Sequence, residues 1–446
     1  MRRLSYLLGA ALVLLALCAT TVFAADPVIS PEVKEAYDKL SKDPKVAAAV
    51  KFLESDHKQR VQFVKDLVVI EAPSHKEENR SRAFAKLLQQ EGLSDVTIDE
   101  KSWNCWGILP GTVKGPVVFV DAHLDTVFDF GSVTGITEDP DGTLRAPGIG
   151  DDTSALGGVL SIIRAFVKNG VKPVYDIVFV GTVGEEGLGD LKGMKAFLNE
   201  NHPIGKNVVA VIDFEGGGPE RITYLCTGSH RYFIDFIGPG GHSFGAFGLP
   251  SAIHAAGRAI AKVADVQVPS GPKTTFTVGM AEGGTSVNSI AADCRLQLDM
   301  RSNLMANLLE IEKRIMPLWQ LGADEENLRW SAWSGKNMIT VKITMVGDRP
   351  AGEQSENIKL IQAHWQSNLM FGYKPSLSSA SSTNINWSVY KGYPSICIGA
   401  GGSSTGNHSP SETWNPKDAW KALQVGFMTI CAMAGVDGVS APLAGK

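Results

Sequence analysis

The stretch Val117-Val118-Phe119-Val120-Asp121-Ala122-His123-Leu124-Asp125 decides the fold. It runs from unbroken apolar residues into acids and a histidine. A strand with one wet face alternates apolar and polar residues, whereas a strand covered on both faces does not. Residues 117–120 therefore predict a strand of a parallel sheet sandwiched between helices. Two more runs repeat the design. Ile177-Val178-Phe179-Val180 stops just before Glu185-Glu186, and Val208 to Ile212 leads into Asp213-Phe214-Glu215. Helix-period segments lie between them, Leu156 to Val167 and Lys192 to Asn199. The expected class is α/β, with a mostly parallel sheet and helices on both faces.

Working outward, residues 31–72 show apolar positions at helical intervals, among them Val46, Val50, Leu53, Val61, Val64 and Val68, and predict a capping helical region. Downstream, Ile358 to Asn368 is helical, Ser395-Ile396-Cys397-Ile398 is a strand that rejoins the sheet, and a last helix runs from about Pro416 to Met433. Between Cys226 and this return the pattern changes. Strands at Arg231–Ile237, Thr274–Val278, Ala292–Met300 and Met338–Met345 mix with helices at Ser251–Ala264 and Met305–Leu321. The order is βαββαβ, a compact unit in its own right. Residues 228–346 are thus expected as an insertion, with residues 25–227 and 347–446 forming the domain it interrupts.

The chain has 446 residues and a net charge of −5. That length supports two or three domains. The charge and the lack of a basic run give no footprint for nucleic acid or a membrane surface. The N-terminus reads as an export signal: Arg2 and Arg3, an apolar stretch from Leu7 to Leu17, then Val22-Phe23-Ala24 with cleavage expected after Ala24. Leu17 before Cys18 argues against a lipid anchor. The mature protein is expected to be periplasmic or secreted, with no stable membrane span. It would keep Cys105, Cys226, Cys294, Cys397 and Cys431, none in a CxxC pair.

In open α/β sheets, ligands bind beyond the carboxyl ends of the strands. His123, Glu185, Glu186 and Glu215 all fall there. Asp151-Asp152 lies in the glycine-rich loop Pro147-Gly148-Ile149-Gly150, and His408 sits among Gly, Ser and Asn in a second loop. Each signal alone has an ordinary explanation: a polar strand end, a helix cap, a solvated loop. Asp213 competes with Glu215 for the same strand end. Together, so many carboxylates at one apolar edge would repel, and bound cations relieve that repulsion. Two imidazoles with carboxylates and no thiolate suit zinc, with Co2+ or Mn2+ as alternatives. Two such ions about 3.5–4 Å apart hold a hydroxide between them.

The motifs HLDTV (123–127), APGIGDD (146–152), GTVGEEG (181–187), DFEGGG (213–218), GPGGHS (238–243) and GNHSP (406–410) follow one another in this order. The set resembles the M20 family of metallopeptidases over essentially the whole mature chain. The resemblance implies that His123, Asp151 and Glu215 hold one zinc and that Asp151, Glu186 and His408 hold the other, with Asp151 shared. Glu185 would be the general base, and Asp125 would hydrogen-bond the His123 imidazole. The inserted unit would be a lid and dimerisation domain. Its His242 would reach the partner subunit's site and steady the oxyanion, Asn288 would face substrate, and Arg349 would bind a substrate carboxylate. The implied activity is exopeptidase cleavage of short peptides, or deacylation of N-acyl amino acids by the same chemistry. Two departures stand out: Thr153-Ser154-Ala155 where many relatives have a lysine, and Ser382-Thr383-Asn384 where they often read Thr-Asp.

A serine hydrolase is a rival reading, because Gly241-His242-Ser243-Phe244-Gly245 fits the G-x-S-x-G pattern. It would use Ser243, a later aspartate and His408, and it leaves the upstream carboxylates without a role. A non-catalytic binding protein is the third reading, though all five ligands and the base are present.

Overall fold

The computed structural model describes residues 26–332 and 337–445. The expected export signal, residues 1–24, lies outside the described residues. Its largest sheet has eight strands. At its centre Tyr175–Thr182, Val113–His123, Val208–Glu215 and Ser395–Gly399 run parallel, side by side in that order. Cys105–Leu109 and Ser94–Ile98 add on antiparallel at one edge. Arg221–Thr223 adds antiparallel at the other, with Ser376–Leu377 outermost. The sheet is parallel in its middle and mixed at its margins. Ser94–Ile98 is largely exposed and Arg221–Thr223 and Ser376–Leu377 have only three and two residues, so they lack the unbroken apolar run, while buried Cys105–Leu109 carries Gly107 at its middle.

The central strands are apolar throughout because their alternate residues enter two different cores. Val118, Val120, Ile177, Phe179, Ile212 and Phe214 pack on one face with the helices Ser154–Asn169 and Trp420–Ala434. Val117, Phe119, Val178, Val180, Val211 and Cys397 pack on the other with Phe197, Ile385 and Val389. Each fully buried Val, Ile or Phe contributes about 1.5–3 kcal/mol, so the central strands are the strongest part of the sheet. The region expected as a helical cap forms the helices Pro31–Lys42, Pro44–Ser55 and His57–Val68. Proline opens the first two, and the Asp43 carboxylate caps the second by accepting from the amides of Lys45 and Val46 at 2.9 Å. Val33, Leu40, Val46 and Leu53 join the same core as the Ser154–Asn169 helix. Among the described residues no helix is long and apolar enough to cross a membrane. All five described cysteines are buried and unbridged.

A second sheet has four antiparallel strands in the order Thr274–Gly283, Asp293–Ser302, Gly228–Ile237, Thr340–Arg349. Helices Ala252–Ala264 and Met305–Arg329 cover one face through Ile234, Phe236, Leu296, Ala255, Ala259 and Trp319. The second helix runs beyond the Leu321 stop expected from sequence, with Pro317 inside it. Ile311, Ile315, Trp319 and Ala323 continue one buried stripe past the proline, which outweighs the lost backbone bond. The uncovered face carries Arg231, Asp299 and Arg301.

Candidate metal centre

Parallel register brings the ligands together. His123 ends its strand opposite Thr182, and Asp121 lies opposite Asp213. Glu185-Glu186 and Glu215 therefore emerge at the same sheet edge as His123. Asp151 comes from the turn before the Ser154–Asn169 helix. His408 comes from the loop between Ser403–Thr405 and Thr413–Asn415, with φ at +63°. A histidine in the left-handed region is held there against about 1–2 kcal/mol of steric preference.

Asp151 is the hub. Its Oδ1 lies 3.0 Å from His123 Nε2, and its Oδ2 lies 3.1 Å from His408 Nε2. His408 Nε2 is also 2.9 Å from Glu186 Oε1, and Glu215 Oε1 is 3.9 Å from His123 Nε2. One carboxylate thus offers one oxygen to each imidazole, the geometry of a bridging ligand. Donor atoms of Asp151, Glu186 and His408 lie within 4.8 Å of one another. Around His123 two groups meet that distance, one with Asp152 and Glu215 and one with Glu185 and Glu186. Asp152 is nevertheless tied elsewhere, since its Oδ2 accepts the His123 amide at 3.2 Å and burial pushes its pKa well up. Asp151 places one oxygen near each imidazole, so it remains the shared one.

The electrostatics ask for cations. Hydrogen bonds that its N–H donates to Asp151 and Glu186 lift the His408 imidazole to about 10. Burial opposes protonation of His123, yet its Asp125 and Asp151 neighbours raise it well above the ordinary value. Burial also opposes ionisation of Asp151, and the two imidazoles hold it well below the usual carboxylate range. Divalent ions would satisfy the same excess of negative charge, and the nitrogen–oxygen donor set fits them.

Asp125 acts differently from expectation. The His123 Nδ1 partner at 2.9 Å is the backbone carbonyl of Asp125, and its carboxylate Oδ1 is 3.5 Å away. The carboxylate instead accepts the amides of Glu185 and Glu186 at 2.9 Å each and the Ser74 hydroxyl at 2.6 Å. It therefore places the two glutamates, while its main chain sets the imidazole tautomer and frees Nε2.

Glu185 is buried beside this centre. Burial raises its carboxyl to about 7, against the pull of Arg349. Arg349 Nη1 lies 3.3 Å from Glu185 Oε1 and 3.3 Å from the Ser382 hydroxyl, and Nη2 donates to the Glu185 carbonyl. Expected toward a substrate carboxylate, Arg349 lines the site cavity but is engaged with Glu185.

His242 and Asn288 are not brought to this cavity within one chain. They sit on the exposed lid strand pair Gly241–His242 and Ser289–Ile290 and the turn beside it. The His242 Nδ1 accepts the amides of Phe244 and Gly245 at 3.2 Å, which leaves Nε2 facing outward. Ser243 lies on the same turn, and its amide donates to the Asn288 carbonyl at 2.9 Å. The histidine a Ser243 triad would need, His408, is engaged by Asp151 and Glu186 instead. Asn384, one of the departures, faces inward: its Nδ2 donates to Asp121 Oδ2 and Thr182 Oγ1 at 2.9 Å each.

Sequence reading missed Glu412. Its buried carboxylate accepts the amides of Gly148 at 2.9 Å and of Gly150 and Asp151 at 2.8 Å, and so fixes the loop that presents Asp151. Its only sequence signal is its place four residues after His408. Glu412→Ala would leave these amides unpaired and lower affinity for divalent ions about 10–100-fold, as loss of an outer partner does. Calorimetric titration with Zn2+ checks this, and wild-type affinity in a folded variant would remove the role.

The sheet, the inserted unit and the histidine–carboxylate centre define an α/β protein with a candidate metal-hydrolase centre. The model of peptidase family M20/M25/M40 matches residues 119–432, and the chain belongs to that family. Solved structures agree in fold. Aminopeptidase PepT from Bacillus cereus ATCC 10987 is 21% identical, with 84% of this chain and 98% of that one covered and a TM-score of 0.64. The dipeptidase Dug1p from Saccharomyces cerevisiae is 14% identical, with 86% and 97% covered and a TM-score of 0.70. The Bacillus subtilis YXEP protein, described as a dinuclear metal-binding peptidase of the M20 family, is 15% identical, with 84% and 98% covered and a TM-score of 0.58. No curated protein sequence matches the chain.

Proposed function

We propose that the protein is a two-zinc exopeptidase that cleaves amide bonds of short peptides. The observation that carries this reading is Asp151, with one oxygen toward His123 and the other toward His408, beside a buried Glu185 outside the ligand set. His123, Asp151 and Glu215 would hold one ion, and Asp151, Glu186 and His408 the other. When bound, the ions supply Lewis-acid polarisation of the amide carbonyl and activation of water. Glu185, buried beside the centre, accepts the proton of the attacking water and returns it to the amide nitrogen as the C–N bond breaks. Asp125 holds the Glu185 and Glu186 amides in place during both transfers. The outward-facing His242 and Asn288 support a homodimer in which each lid serves the partner subunit's site. The N-terminal pattern supports an exported enzyme.

The test uses purified protein: metal analysis, sedimentation, and hydrolysis of dipeptides, tripeptides and N-acyl amino acids before and after chelation. The expected result is two divalent ions per chain in an active dimer, with loss of hydrolysis on chelation and recovery on adding zinc. Preference for N-acyl amino acids would make it a deacylase on the same centre. Full activity in the chelated protein would sink the metal mechanism, and a fully active monomer would sink the role of His242.

A further inference from the structure

Arg60 is a fully buried arginine on the helix His57–Val68, which precedes the residues 119–432 that match the family. A charge is costly to bury unless other groups meet it. Arg60 Nη2 donates to the Ser154 carbonyl at 3.1 Å and to the Ala400 carbonyl at 2.8 Å. The guanidinium carbon stands 5.2 Å from the centre of the Trp414 ring, within cation–π reach. Nε and Nη1 have no hydrogen-bond partner among the described residues. Burial lowers the arginine to about 9 against the pull of the Asp152 carboxylate, so it stays cationic at neutral pH.

Its two carbonyl partners belong to the segments that present Asp151 and Glu215. Ser154 opens the helix that follows Asp151-Asp152, and its hydroxyl donates back to the Gly150 carbonyl at 2.9 Å. Ala400 follows the strand Ser395–Gly399, and its amide donates to the Glu215 carbonyl at 2.7 Å. One nitrogen thus ties the exit of the Asp151 loop to the strand end that carries Glu215. The two segments also abut directly, since a β-carbon on Gly216 would lie 3.3 Å from the Gly150 carbonyl oxygen. Gly157 lets the arginine approach this closely. A β-carbon there would fall 2.6 Å from Val64 Cγ2 and 3.2 Å from the Arg60 carbonyl oxygen, so any larger residue would push the two helices apart.

We propose that Arg60 is a positioning residue for the metal centre: it sets the spacing between Asp151 and Glu215, the two carboxylates that with His123 would hold one ion. This rests on the metal reading and makes the N-terminal helix part of the site. The spacing of Asp151 from the other ligands has different supports. Glu412 holds the Asp151 loop by its amides, and Glu186 is placed by Asp125 and Ser74. The two ion sites therefore respond unequally to loss of the guanidinium.

The experiment titrates Zn2+ calorimetrically into proteins that keep one ion site each. Glu186→Gln leaves the site of His123, Asp151 and Glu215, and Glu215→Gln leaves that of Asp151, Glu186 and His408. Arg60→Met keeps an apolar stem against Trp414 and removes the donated bonds. It is expected to weaken Zn2+ about tenfold or more in the Glu186→Gln background, the scale on which outer partners act, and about threefold or less in the Glu215→Gln background. With both sites intact, the same loss shows as one weakened ion of two. Arg60→Lys restores a cation with donors and recovers part of the affinity. A merely structural loss would weaken both backgrounds alike, so equal weakening overturns the proposal, as does unchanged affinity in the Glu186→Gln background. If Arg60→Met fails to fold, Arg60→Lys decides by the same unequal pattern at smaller size. Wild type that binds no Zn2+ refutes the metal reading and the role of Arg60 with it, whereas two tight ions in both wild type and Arg60→Met remove the role of Arg60 alone.

Discussion

Glu185→Gln is expected to lower kcat by about 10^3-fold while leaving bound metal and KM close to wild type. General acid–base catalysis contributes about 10^2–10^4-fold, and this substitution removes the proton acceptor alone. The geometry makes the variant clean. Glutamine keeps the shape and an oxygen for Arg349 Nη1, and the second Arg349 contact goes to the Glu185 carbonyl, which is unchanged. The amide of residue 185 still reaches Asp125 Oδ1. The neighbouring Glu186 keeps its contact with His408. Steady-state kinetics paired with metal analysis checks the split between kcat and metal content. Activity within tenfold of wild type would remove Glu185 as the base. A loss of metal together with activity would move it into the ligand set.

Asp151→Ala should be more damaging still, and in a different way. The substitution deletes the carboxylate with one oxygen near each imidazole, so both proposed ion sites would lose a ligand at once. Metal content should fall below one ion per chain. The activity loss should go well beyond the about 10–100-fold that outer partners cost. Asp152→Asn is the control: it keeps an oxygen for the His123 amide and should retain metal. Metal analysis of the two variants side by side settles which aspartate bridges. Metal retained in Asp151→Ala and lost in Asp152→Asn would reverse the assignment.

The parts that could be read in advance share one property, that local sequence carries their physics. Residues 117–120 had to be apolar on both faces, so the central strands announced themselves. His123, Glu185, Glu186 and Glu215 followed from where those runs stop. Glu412 could not be read because its partners are backbone amides 261 to 264 residues away. The His123 tautomer is set by a carbonyl oxygen, which no residue type advertises. The Arg231–Asp299 ion pair depends on cross-strand register, visible only once the lid sheet is paired. Ser382 and Asn384 looked alike as departures from the family pattern. In the fold Ser382 reaches the cavity wall beside Arg349, while Asn384 turns inward to Asp121. Ser94–Ile98 is largely exposed, and Arg221–Thr223 and Ser376–Leu377 are too short to carry a period.

The bond from Glu412 to the Asp151 loop has a consequence for how the protein is made. Ribosomes deliver the chain from its N-terminal end, and His123, Asp151, Glu186 and Glu215 are all synthesised before the lid. His408 and Glu412 come only after it, in the last tenth of the chain. Until they emerge, the glycine loop lacks the carboxylate that shapes it and the second imidazole is missing. A nascent or truncated chain thus carries an unfinished cluster of acids with no competent centre. The loop that presents Asp151 can take its final shape only once Glu412, made some 260 residues later, closes back onto it.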